Sequence, residues 1–235
     1  MPQRFRLDRF VRFPYLAVAA LACGKPAVAP TPSAMAPVAS IEAARWAAPT
    51  APVRHRVARF RWLFNDGQAS VGGAGSARFA GPDSLRFDIA GPFGIGNAAA
   101  AVVGERALWV RPPDIIARLI PSYPLMWAMF GVMRPPPLGA AVRGFRADGV
   151  TAYESVTGAD TLAYRLTTTP SHALRAEWRR AGVVMGLVET RLNPDGSPES
   201  ARLTVPSVPA RLDITIVADS STSAFPAAIW TPAAP

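Results

Sequence analysis

The chain has 235 residues, half of them hydrophobic and 17% charged, with a formal net charge of +9. One cysteine, Cys23, excludes an intramolecular disulfide, dithiol redox chemistry and a Cys-ligated zinc. The basic residues are almost all arginine, spread singly with no long basic run, which argues against a nucleic-acid ligand.

Residues 1–22 read as a signal peptide. Arg4, Arg6, Arg9 and Arg12 precede the apolar run Phe13 to Ala22, which is well short of the roughly 20 residues that a spanning helix needs. The sequence Ala20-Leu21-Ala22-Cys23-Gly24 resembles a bacterial lipobox, in which the cysteine is lipidated and begins the mature protein. Ala20 departs from that pattern, which prefers leucine there. The alternative is an ordinary signal peptide cut near Ala22 that leaves an inert cysteine. The lipobox resemblance, with glycine rather than aspartate after the cysteine, implies an anchor in the outer membrane facing the periplasm. Residues 23–54 then read as an Ala/Pro-rich tether of little fixed structure, in which Ile41 to Trp46 has the pattern of one short helix.

A β domain is expected over residues 55–220. Ala58, Phe60, Trp62 and Phe64 alternate with Arg59 and Arg61, and Asn65-Asp66-Gly67 closes this first strand with a turn. Gln68 to Ala80 continues as a strand interrupted by Gly72, Gly73 and Gly75, whose role the sequence leaves open. After the turn Gly81-Pro82-Asp83, Leu85, Phe87 and Ile89 alternate with Arg86 and Asp88. That strand runs into Gly91-Pro92-Phe93-Gly94, a turn or protruding loop with a phenylalanine at its tip. Phe93 either stands exposed there or folds back onto the sheet edge. Asn97 to Gly104 and Arg106 to Val110 supply two further short strands.

Residues 112–134 change period. Ile115, Ile116, Leu119 and Ile120 fall at helical spacing, as do Leu125, Met126, Met129, Phe130 and Met133. Two short apolar helices are predicted, separated near Pro121–Pro124 and stopped by Pro135-Pro136-Pro137. They are either helices packed on a sheet or a movable lid over an apolar cavity, a role for which methionine is suited.

Strands resume with Leu162, Tyr164 and Leu166, then Leu174, Ala176 and Trp178, then Val183, Met185 and Leu187. A hairpin follows at Asn193–Gly196, and Leu203 and Val205, then Leu212, Ile214 and Ile216, complete the set. The fold class is mainly β: about ten strands joined by short turns, hence a strongly curved antiparallel sheet, covered by two or three short helices. Residues 221–235 read as a C-terminal tail.

No motif nominates catalysis. His55 and His172 are far apart, neither Gly-x-Ser-x-Gly nor His-Glu-x-x-His occurs, and the glycines at 91, 94 and 96 lack dinucleotide-loop spacing. An enzyme is not expected, and neither a metal nor a cofactor.

The order of features resembles the LolA/LolB family of lipoprotein carriers and receptors, on the side of its outer-membrane receptor, LolB. Carrying the resemblance are the lipobox cysteine, the aromatic strand, Gly75 to Phe79, the segment Leu-Arg-Phe-Asp-Ile-Ala-Gly-Pro-Phe-Gly, and the helical stretch that ends in prolines. It covers roughly residues 55–140 by motif order. It implies an unclosed half-barrel whose apolar cavity accepts the acyl chains of lipoproteins or other lipids from a periplasmic LolA-like carrier. A protruding loop, here Pro92 and Phe93, would help to deliver them to the outer membrane. The expected cavity wall is Phe60, Trp62, Phe79, Leu85, Phe87, Ile89, Leu162, Tyr164, Leu174, Trp178, Leu212 and Ile214. The expected lid is Ile116, Leu119, Ile120, Met126, Met129, Phe130 and Met133. The protein would act as a monomer. The competing expectation is a structural or assembly lipoprotein of the envelope with a filled core, acting through protein contacts.

Overall fold

A computed structural model describes residues 35–92 and 97–231, so Cys23 and Phe93 lie outside the described residues. In chain order the elements are β1 (Ala36–Pro37), α1 (Ser40–Ala47), β2 (Arg56–Asn65), β3 (Ser70–Ala80), β4 (Ser84–Ala90), β5 (Ala98–Val103) and β6 (Arg106–Arg111). Two helices follow, α2 (Pro113–Leu119) and α3 (Tyr123–Ala128). The remaining strands are β7 (Ala141–Ala147), β8 (Val150–Thr157), β9 (Asp160–Thr167), β10 (Ala173–Arg180), β11 (Val183–Leu192), β12 (Pro198–Val205) and β13 (Ala210–Ser221).

All thirteen strands form one sheet in the order β1-β7-β8-β9-β10-β11-β12-β13-β2-β3-β4-β5-β6. Every neighbouring pair is antiparallel, and β1 and β6 are edges, so the sheet is open. Its centre is the long ladder between β13 and β2, in which Ile214 faces Trp62 and Ile216 faces Phe60. Alternation sets which face is buried. On β2 it is Ala58, Phe60, Trp62 and Phe64, and on β4 it is Leu85, Phe87 and Ile89. Helices α1, α2 and α3 lie on this inner face, and the core sits between them and the sheet.

The expected ten strands correspond to β2–β6 and β9–β13; β1, β7 and β8 are additional. β7 alternates but buries only Val142 and a glycine, Gly144, and β8 buries the neighbours Ala152 and Tyr153, so neither shows an apolar period of two in the sequence. The segment expected to be a tether is folded from β1 onward. Ala43 and Ala47 of α1 are buried, and the Trp46 ring lies over Gly144, where a Cβ would come within 2.8 Å of it. The expected tail also packs. Phe225 meets His55 edge-on at 5.4 Å, and a 3-10 turn at Ala227–Trp230 lies against the outer face.

Two of the three unexplained glycines of β3, Gly73 and Gly75, now have a role. Phe60 is paired with Gly75 and Trp62 with Gly73, and both rings lie across the glycines. A Cβ on Gly75 would stand 2.4 Å from the Phe60 ring, and one on Gly73 would stand 2.0 Å from the Ala90 carbonyl oxygen. The Trp62 indole N–H, lying over Gly73, donates to the carbonyls of Ala74 (3.1 Å) and Ala90 (3.2 Å).

Candidate functional site: a helical strap on the concave face

Residues 112–140 leave the sheet at β6 and re-enter it at β7, next to the opposite edge, so α2 and α3 form a strap across the concave face. α3 is apolar on every side, and Leu125, Met126, Trp127 and Ala128 are all fully buried. It is shorter than its apolar spacing predicts. The helix ends at Ala128, and Gly131 takes a φ of +79°, which only glycine adopts without strain. Met129, Phe130 and Met133 therefore lie on a turn rather than on a helix. Pro124 belongs to the first turn of α3 and does not separate the helices.

All seven expected lid residues and ten of the twelve expected wall residues belong to one buried cluster; Leu162 and Trp178 are partly buried and pack against it. Phe130 is its keystone. Its ring centroid lies 5.4 Å from that of Phe79, 5.6 Å from Phe60 and 6.2 Å from Phe87, and Phe79 also meets Trp127 at 5.8 Å. The space between strap and sheet is thus filled by the strap's own side chains.

Polar side chains fasten the strap between Trp127 and Arg134. The Thr190 hydroxyl donates to the Ala128 carbonyl at 2.7 Å, and the Trp127 indole donates to the Gly104 carbonyl at 2.9 Å. The Arg56 guanidinium donates to the Phe130 carbonyl at 3.5 Å while lying 4.4 Å over the Phe79 ring. Beyond the turn, the Met133 N–H donates to the Thr50 hydroxyl at 2.8 Å, and the Tyr153 hydroxyl donates to the Arg134 carbonyl. Arg134 is itself buried, stacked 4.7 Å over Trp127 and bonded to Pro82 and Asp83. Burial lowers the pKa of Arg56, with Asp219 at 3.5 Å partly restoring it, and burial raises that of Asp219.

None of these fasteners was among the expected site residues. Two carried a signal: Arg56 stands in the inward phase of β2 with Ala58 and Phe60, and Thr190 in the inward phase of β11 with Val188. A polar residue in an apolar phase needs a buried partner. The partners, backbone carbonyls of the strap, leave no mark in a sequence.

One cavity opens at the strap's rim. It measures about 410 Å³ and lies between the start of α3, at Pro121 and Tyr123, and Leu162 and Trp178 of β9 and β10. Glu105, Asp160 and Arg180 stand around it. Burial raises the Glu105 carboxyl, opposed in part by Arg134, whereas the hydrogen bond from Arg180 holds Asp160 low. Among the described residues no group of three or more His, Cys, Asp or Glu side chains gathers as metal ligands would. His55 and His172 take structural partners, Phe225 and the Thr168 carbonyl.

An open antiparallel half-barrel with a helical strap in its concavity defines the class. The fold is shared with a LolA superfamily protein from Nitrosomonas europaea, at 12% identity and a TM-score of 0.55, over 83% of this chain and 98% of that one. It is also shared with a domain described as an outer membrane lipoprotein-sorting protein from Vibrio parahaemolyticus, at 7% identity and a TM-score of 0.53, over 81% and 95% of the two chains. The chain therefore has a LolA-like fold. No protein-family model matches the sequence, and no curated protein matches it.

Proposed function

We propose that this protein is an envelope lipoprotein of the LolB type, which takes acyl chains of lipoproteins or other lipids beneath its strap and passes them to the outer membrane. The observation that carries this reading is the make-up of the strap. Its underside is apolar, contains three methionines (Met126, Met129 and Met133), and is held in place by a few hydrogen bonds between Trp127 and Arg134. An acyl chain entering at the rim beside Leu162 and Trp178 would displace Phe130 and the methionines, and replace one apolar contact by another at little net cost. Cys23 would carry the anchor, and Pro92 and Phe93 would touch the membrane. A LolA-like carrier would be the donor. The role is binding and transfer rather than catalysis.

The filled interior favours a second reading, an assembly protein of the envelope with a permanent core that acts through protein contacts. Native mass spectrometry of the protein secreted without its cysteine separates the two. A co-purifying acyl lipid that added fatty acid displaces is expected. A bare mass that takes up no lipid would overturn the carrier reading.

A further inference from the structure

The outer face of the sheet carries a second cavity, which meets the strap only at its first residue, Pro112. A trough of about 750 Å³ crosses β2 to β6, within the size range of small-molecule sites. It follows one transverse row of the ladder, in which Arg59, Ser76, Asp88, Ala99 and Arg111 are successive cross-strand partners. Adjacent strands lie about 4.8 Å apart, so the two terminal arginines stand on backbones roughly 19 Å apart. Small side chains form the floor: Ser76 and Ala99 in that row, and Ala74 and Ala90, partners in the next.

The opposite row supplies a wall. Arg86 is fully engaged: it grips Asp88 at 2.8 and 2.9 Å, donates to the Ile229 carbonyl at 2.5 Å and lies 5.3 Å over Trp109. The Trp109 indole donates to the Trp230 carbonyl at 2.7 Å, so the C-terminal segment buttresses this wall. Arg78 uses only one nitrogen, at 2.5 Å from the second Asp88 oxygen. Asp88 is thus shared between two guanidiniums, and exposed Arg59 has no carboxylate partner among the described residues. Four guanidiniums and one carboxylate surround a largely apolar floor. A surface whose arginines are merely solvated has no need of such a floor. An acid with an alkyl body complements both parts, because a guanidinium fork matches a carboxylate or phosphate in two bonds.

We propose that this trough binds an anionic amphiphile, its carboxylate or phosphate head between Arg59 and Arg78 and its alkyl body over Ala74, Ala90 and Ala99. The proposal does not depend on the strap opening. It is tested by calorimetric titration of the purified protein with laurate, dodecyl phosphate, dodecyl maltoside and inorganic phosphate. Laurate or dodecyl phosphate is expected to bind at least about tenfold more tightly than the neutral maltoside or the bare ion. A preference for the phosphate supports a phospholipid-type head, and a preference for laurate supports a free fatty acid. Arg59→Glu and Ala99→Phe, which leave the concave face untouched, should each weaken binding of the anion by about tenfold. Wild-type affinity in both variants would overturn the proposal, as would equal binding of the maltoside.

Discussion

The hydroxyl of Thr190, on β11, donates to the carbonyl of Ala128 at the last turn of α3, across 2.7 Å and with both groups buried. With the Trp127 indole on the Gly104 carbonyl, this bond fixes the C-terminal end of the helix to the sheet. Thr190→Val keeps the shape and leaves the carbonyl with the Gly131 N–H, at 2.9 Å, as its remaining donor, which should cost about 0.5–1.5 kcal/mol in urea unfolding. If the strap is the moving part, the same variant should take up a fluorescent fatty acid faster than the wild type. A stability loss with unaltered uptake would assign the bond to the core alone.

Phe130 fills the space between Phe60, Phe79 and Phe87. Phe130→Ala should lower stability by about 3–5 kcal/mol, since the surrounding rings can collapse only in part. In the carrier reading the vacated space accepts apolar ligands, so added fatty acid should restore much of the lost melting temperature. Failure of any apolar ligand to do so would favour the permanent core.

Gly75 is required by the ring laid across it. Gly75→Ala sets a methyl group 2.4 Å from Phe60 and 2.8 Å from the Asp88 carbonyl oxygen, and the latter is backbone that cannot step aside. A loss of about 1–3 kcal/mol is expected from overpacking. Gly81→Ala, by contrast, meets nothing within 4 Å and tests only the left-handed backbone, φ +66°. Thermal unfolding of the two variants separates close approach from conformational freedom.

Burial raises the Glu105 carboxyl above its usual range, and Arg134 pulls it part of the way back. Below the ordinary glutamate value both folded and unfolded chains are protonated, and the group is neutral toward stability. As pH rises through that value the unfolded chain releases its proton first, so stability falls until the folded-state value is passed. Glu105→Gln should therefore flatten the melting temperature over that window and leave the protein more stable at neutral pH. Arg134 keeps Asp83 at 2.6 Å, so the variant strands no cation. A steeper acid-to-neutral decline in the variant would contradict this assignment.

Much of the fold is legible where one face is buried and the other is solvated. Ala58, Phe60, Trp62 and Phe64 mark β2 without help, as Leu85, Phe87 and Ile89 mark β4. β7 escaped because its buried face is Val142 and a glycine, and the Trp46 ring that fills the gap comes from a helix far back in the chain. The strap's membership was readable from apolar spacing, but its ending was not, since the turn at Gly131 continues the same apolar run. The outer trough was hidden for another reason. Arg59, Ser76, Asp88, Ala99 and Arg111 form a row only through four consecutive strand registers, none of which a linear pattern states.

The position of β13 bears on how the molecule is made. Within β2–β6, and within β7–β12, every pairing is between sequence neighbours, so each group can zip up locally; β7 also takes the short strand β1. The one backbone ladder that joins them among the described residues is β13 with β2, and β13 is the last strand of the chain. Synthesis therefore delivers two half-sheets and withholds their seam until the end. A chain stalled before Ala210 presents two unsatisfied central edges, and a complete one closes them in a single long-range step.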